Sequence, residues 1–197
     1  MTIDASAPVD VIAEFQAAGA LLEGHFLYTS GRHGNRFLQA ARLLQYPDRT
    51  ERLCKALAAS FANAEVQMVV GPATGGIILA YETARHLQCR AAFTERDDDG
   101  GMALKRGFAL PPGARVLVVE DVVTTGGSVK KTVDHLRARG AEVMGVAVLI
   151  DRSGGNAPNF GCVYQPLATL ALDSWPPGEC PLCKAGHKLV EPDDLVV

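Results

Sequence analysis

Short unbroken apolar runs that alternate with amphipathic stretches constrain this chain more than any other feature. Val66–Val70, Arg90–Phe93, Arg115–Val119 and Val143–Ile150 are such runs, and none alternates polar with apolar residues. A strand with one wet face would alternate, so these segments read as strands buried on both faces. Helical spacing fills the intervals. Leu53, Leu57 and Phe61 recur four apart within Asp48–Asn63, Ile77–Leu87 follows the first run, and Val129, Val133 and Leu136 precede Gly140. Strand, helix, strand in that order requires a mostly parallel sheet flanked by helices and built from right-handed crossovers. Ligands of such sheets sit beyond the carboxyl ends of the strands, so the post-strand loops are where chemistry is expected.

The rest of the chain frames that core. Val9–Ala18 is expected to form a short helix ended by Gly19, and His25–Arg42 to form strands and turns. The Pro-rich segment from Asn156 onward is expected to be an irregular appendage. The expectation is a single domain over 1–197, with a core at about 48–155 and a small hood from 1–47 and 156–197.

The 197 residues, 48% apolar and 21% charged, suffice for a core that needs neither disulfide nor metal to fold. Nineteen Lys and Arg against 22 Asp and Glu leave a net charge of -3, which argues against a nucleic-acid-coating protein. The odd set Cys54, Cys89, Cys162, Cys180 and Cys183 fits reduced thiols. Met1–Phe15 carries Asp4, Asp10 and Glu14 and no basic residue, unlike a signal peptide, and no apolar run is long enough for a bilayer. A cytoplasmic protein without membrane or nucleic-acid partners is expected.

The loop after the third run reads Glu120-Asp121-Val-Val-Thr124-Thr125-Gly126-Gly127-Ser128. Adjacent carboxylates at a strand end are costly unless they meet water, a cation or hydroxyl donors. Hydroxyls, flexible glycines and a helix start directly after them suit a phosphate cup of backbone N–H groups. Ser128 taken alone reads as a helix N-cap. Gly71–Gly76 has P-loop glycine spacing, but Ile77 and Ile78 stand where Lys and Ser/Thr are required, and the chain has no Gly-x-Gly for a dinucleotide fingerprint.

Val116–Ser128 closely resembles the phosphoribosyl-pyrophosphate (PRPP) loop of type I phosphoribosyltransferases, and Gly71–Gly76 resembles their pyrophosphate loop. The resemblance implies that Glu120 and Asp121 hold the ribose hydroxyls and that Thr124, Thr125, Gly126, Gly127 and Ser128 hold the 5-phosphate. It also implies that Thr74 and Gly75 present backbone N–H groups to pyrophosphate, often beside a cis peptide. Gly24-His-Phe26, Ser30-Gly31, Phe37-Leu38 and Asp151-Arg152 are similar to the orotate members of that family. Phe37, Thr124 and Arg152 are therefore expected at orotate, where a guanidinium can grip a carboxylate through two bonds. The implied fold is the type I phosphoribosyltransferase fold, and the implied activity joins PRPP and orotate into orotidine 5-phosphate and pyrophosphate for pyrimidine synthesis. Mg²⁺ is implied as cofactor, held by PRPP and water rather than by protein ligands. A homodimer with shared sites is implied too.

Glu95–Gly107 matches the family's mobile catalytic loop, with Arg96, Lys105 and Arg106 as catalytic cations beside Asp121. The chain departs from the family pattern at Thr29 and Gly75, where many members carry lysine, and it has no histidine in the loop. Two rivals remain: a purine or other base phosphoribosyltransferase, and a PRPP-sensing regulator without turnover. In the tail, Cys180-Pro-Leu-Cys183 with His187 is half of a zinc site lacking a fourth ligand. His25, His33, His86 and His135 have no paired ligand spacing and read as structural or surface residues.

Overall fold

The computed structural model describes residues 9–28 and 30–192, so the departure at Thr29 lies outside the described residues. The chain opens with helix α1 (Val11–Ala17), started by the Asp10 carboxylate accepting from the Ala13 N–H at 3.0 Å. An antiparallel hairpin of β1 (Leu21–Leu27) and β2 (His33–Leu38) follows, then the short α2 (Ala40–Leu44) and α3 (Pro47–Ala59). The core alternation is β3 (Met68–Pro72), α4 (Gly75–Leu87), β4 (Arg90–Arg96), a returning β5 (Met102–Leu104), β6 (Arg115–Val123), α5 (Gly127–Ala138) and β7 (Glu142–Asp151). The chain then adds β8 (Val163–Thr169), β9 (Ser174–Trp175), a 3-10 turn (Pro177–Glu179) and α6 (Pro181–Lys184).

Among the described residues the main sheet has the order β5-β4-β3-β6-β7-β8, parallel except where β5 returns along β4. Its central strands are buried on both faces, as unbroken apolar runs require. Leu117 and Val119 point into a core with Phe15, Leu53, Leu57 and Leu79, while Val116 and Val118 point into a second core with Val129, Val133 and Leu136.

Three expectations are corrected. The tail is not wholly an appendage: Val163–Thr169 is the edge strand β8, parallel to β7. Gln165 and Pro166 interrupt its apolar pattern, and an edge strand tolerates proline because one side needs no ladder. The amino-terminal segment is not only hood either, because Val11 and Phe15 of α1 are wholly buried in the first core. The acid pair belongs to β6 itself, Glu120 standing beside Val148 of β7, rather than to the loop that follows. The hood that remains is a three-stranded sheet, β1-β2-β9, to which the chain returns where Phe26 bridges Val190.

Candidate active site

The site forms where β3 and β6 end side by side and each gives way to a helix. Glu120 is buried, with its own Oε1 accepting the Asp121 N–H at 3.1 Å, and Asp121 Oδ1 accepts the Val122 N–H at 2.6 Å. Burial raises the pKa of Glu120 well above the usual carboxylate value, and the neighbouring Asp121 charge adds to that. Burial likewise raises Asp121. Hydroxyl donors or a cation at this place would offset the cost of keeping both acids ionised. Beyond them Gly126 caps α5 with φ +69°, in the left-handed region, and makes no side-chain cap bond to the first turn. Ser128 lies inside that turn, so the N-cap reading of Ser128 is corrected to Gly126. The first-turn N–H groups of α5 thus face the end of the sheet with the helix dipole behind them.

The matching turn after β3 carries a cis peptide between Ala73 and Thr74, and the Ala73 N–H donates to the Thr94 carbonyl at 2.7 Å. Thr74 caps α4, again without a side-chain bond to the helix. A Cβ on Gly75 would collide with the Asp121 carboxylate. The start of α4 therefore lies against the acid pair at the end of β6.

A cleft of about 180 Å³ opens beside the α5 turn and is lined by Tyr28, Phe37, Thr124, Thr125 and Arg152 among others. It brings Phe37 and Arg152, expected at one ligand, to Thr124, expected at both. Arg152 leaves the end of β7 with its N–H on the Val123 carbonyl at 2.7 Å, and its guanidinium lies 4.5 Å from the centre of the Tyr28 ring. Tyr28, whose hydroxyl donates to the Arg36 carbonyl at 2.5 Å, is a residue that sequence reasoning missed. Its only signal was its place beside the Gly24–Phe26 segment. A larger hollow of about 410 Å³ near Gln67, Arg90 and Pro112 lies at the opposite, amino ends of the strands, away from both turns.

Residues 41–168 match the family model described as the phosphoribosyl transferase domain. The chain belongs to the phosphoribosyltransferase family. It is 49% identical to the orotate phosphoribosyltransferase of Desulforamulus reducens over 93% of this chain and 95% of that one. It is 46% identical to the orotate phosphoribosyltransferase of Thermotoga maritima over 90% and 94%. Among solved structures, the orotate phosphoribosyltransferase of Aeropyrum pernix superposes with a TM-score of 0.68 at 28% identity, covering 81% of this chain and 93% of that one.

The cations expected on the family's catalytic loop, Arg96, Lys105 and Arg106, do not line this cleft. They ride on the β4–β5 hairpin, whose β5 is the sheet edge and whose β4 is separated from β6 by β3 alone. Lys105 Nζ donates to the Arg96 carbonyl at 2.7 Å, and Arg106 makes a two-pronged contact with Glu95 at 2.8 Å for each bond. Arg106 draws the Glu95 pKa below its ordinary value. Helix α5 tethers the hairpin: His135 Nε2 accepts the Leu104 N–H at 3.1 Å, and Lys131 Nζ donates to the Gly100 carbonyl at 2.6 Å. Burial lowers the His135 pKa, which keeps its ring neutral and able to accept. His135 is structural, as expected.

The tail cysteines are brought together, but with different partners from those expected. Cys180 and Cys183 meet His25 and His33 of the hairpin, whereas His187 contributes only its carbonyl, which accepts from His25 Nδ1 at 2.9 Å. His187 is thus corrected from ring ligand to backbone support. Local spacing could not reveal two histidines about 150 residues upstream.

Proposed function

We propose that the chain is an orotate phosphoribosyltransferase, which transfers ribose 5-phosphate from PRPP to orotate and releases pyrophosphate. The observation that carries this reading is the Arg152–Tyr28 pair 4.5 Å apart in a cleft that adjoins the Thr124–Thr125 turn. A cationic plane stacked on an aromatic ring suits a flat carboxylated base, and a neutral purine offers no carboxylate for the guanidinium to pair with. A regulator without turnover would have little use for Arg96, Lys105 and Arg106 together on one hairpin.

In this reading the α5 turn from Thr124 to Ser128 binds the 5-phosphate, Glu120 and Asp121 accept from the ribose hydroxyls, and the Thr74–Gly75 turn receives the pyrophosphate. The deprotonated ring nitrogen of orotate forms the new bond to the anomeric carbon as the carbon–oxygen bond to pyrophosphate breaks. The protein's part is to align the two and to stabilise departing charge. The donors around the α4 start and the end of β6 are carboxylate, hydroxyl and backbone groups, and Gly75 lets the Asp121 carboxylate lie close against the α4 start, a donor set that fits a hard cation. When Mg²⁺ is bound there with PRPP and water, it would offset the charge of the diphosphate.

The placement of Arg96, Lys105 and Arg106 away from their own cleft supports a homodimer in which each hairpin serves the partner's site. Helix α4, which starts at the pyrophosphate turn, exposes Ile78 and Tyr81 to 48% and 68% on successive turns, an apolar stripe suited to such a contact. The setting is cytoplasmic, consistent with reduced cysteines; no described helix is long and apolar enough to cross a membrane. The direct test incubates the enzyme with Mg²⁺, PRPP and, in parallel, orotate, uracil, adenine and hypoxanthine. PRPP-dependent loss of orotate alone is expected, and turnover of a purine instead would overturn the reading.

A further inference from the structure

We propose that His25, His33, Cys180 and Cys183 form a structural zinc site that clamps the carboxyl-terminal segment onto the β1–β2 hairpin. The ligand atoms of all four lie within 4.8 Å of one another. His25 Nε2 is 3.1 Å from His33 Nδ1, 3.3 Å from Cys180 Sγ and 3.6 Å from Cys183 Sγ, while His33 Nδ1 is 3.2 Å from Cys183 Sγ. Tetrahedral zinc at its usual bond lengths separates ligands by about 3.3 Å for N···N and about 3.5 Å for N···S. Four of the six ligand pairs therefore already stand close to edges of that tetrahedron, and the other two lie within 4.8 Å. Two cysteines three apart and two imidazoles are also the donor chemistry that selects zinc over the hard cations.

The proton arrangement supports a metal over a simple hydrogen-bonded cluster. The carbonyl of His187 can only accept, so His25 Nδ1 carries the hydrogen of that 2.9 Å bond, and Nε2 is the nitrogen whose lone pair is left for a metal. That one lone pair faces three neighbours at 3.6 Å or less, which a single hydrogen bond cannot serve and a shared cation can. His25, His33 and Cys180 are buried and Cys183 is exposed, which leaves one route for entry. The other cluster of potential ligands, Glu51–Glu82–His86, differs in kind because Arg85 already bonds both of its carboxylates at 2.7 to 3.1 Å.

The position gives the clamp a use. The hairpin it fixes also carries Tyr28 and Phe37 of the cleft, and the same tail pairs β9 with β2 and Val190 with Phe26. The proposal stands independently of which base the enzyme uses.

The test measures zinc by mass spectrometry in full-length, untagged protein dialysed against zinc and then metal-free buffer. One zinc per chain is expected, and cobalt in its place should give the intense visible bands of tetrahedral thiolate ligation. Cys180→Ser, Cys183→Ser and His33→Ala should each weaken zinc binding by about 100-fold or more, while His187→Ala, which keeps the carbonyl, should retain one equivalent. Circular dichroism of each variant shows whether the main fold persists, and thermal melts with and without chelator should differ in the parent and not in Cys183→Ser. Protein that stays metal-free with its thiols reduced, or a Cys180–Cys183 disulfide in freshly purified protein, would overturn the proposal. So would full zinc retention in the cysteine variants.

Discussion

The two sheets of this molecule are held by different physics. The main sheet is a sandwich of aliphatic side chains: Leu117, Val119 and Leu149 pack on one face, and Val116, Val118 and Val148 on the other, all wholly buried. The three-stranded hood has few such residues. It is joined by Arg32 donating to Ser174 Oγ at 2.9 Å, by the Leu27 N–H on the Val190 carbonyl at 3.0 Å, and by the His–Cys cluster. Burial is non-directional and fixes an architecture, whereas a few directional bonds fix the placement of one wall of a cleft. The active site spans both regimes, with the phosphate turns on the rigid sheet and the Tyr28–Phe37 wall on the hood.

Substitutions in the two regions should therefore fail differently. Leu117→Ala empties space in the centre of the main sheet and should cost about 2–5 kcal/mol, read as a lower denaturation midpoint with unchanged KM values in the folded fraction. Arg152→Ala, at the junction, should raise the KM for orotate by about 10- to 150-fold, the loss of one charge-assisted contact of about 1.5–3 kcal/mol, with the KM for PRPP nearly unchanged. An equal loss for both substrates would mean that Arg152 organises the phosphate turn instead. Arg32→Ala in the hood removes two bonds to Ser174 and should cost about 1 kcal/mol or less, because the pair is exposed. Its mark should be a several-fold rise in orotate KM with a midpoint shift much smaller than that of Leu117→Ala, and a shift as large as that one would erase the contrast between the sheets.

The same contrast explains what could be read from the chain alone. The main sheet was legible because its signals are local: each apolar run is a strand, and each interval of helical spacing is a crossover. The PRPP turn was legible because acids, hydroxyls and glycines stand consecutively between Glu120 and Ser128. β8 escaped because Gln165 and Pro166 break its apolar pattern, and α2 because five residues are too few to show a period. Tyr28 and the histidine pair escaped for a different reason. Their partners, Arg152 and Cys180–Cys183, are more than 120 residues away, and only the folded hood brings them together.

The smallest expected effect is also the one whose sign separates catalysis from stability. The Glu120 pKa is raised in the folded chain by burial and by Asp121, whereas the unfolded side chain titrates near about 4.3. Below that pH the carboxyl is protonated in both states and costs nothing. As pH rises the unfolded chain ionises first, so the native state loses stability until its own raised pKa is passed, at about 1.4 kcal/mol per unit of difference. Glu120→Gln keeps an oxygen for the Asp121 N–H but cannot ionise. Its melting temperature should match the parent near pH 4 and exceed it at pH 7. Adding PRPP with Mg²⁺ should reverse the order at pH 7, because the ribose hydroxyls then find a carboxylate in the parent and only an amide in the variant. A variant less stable than the parent at pH 7 without ligand would show that the main sheet, too, relies on a directional polar contact at its catalytic edge.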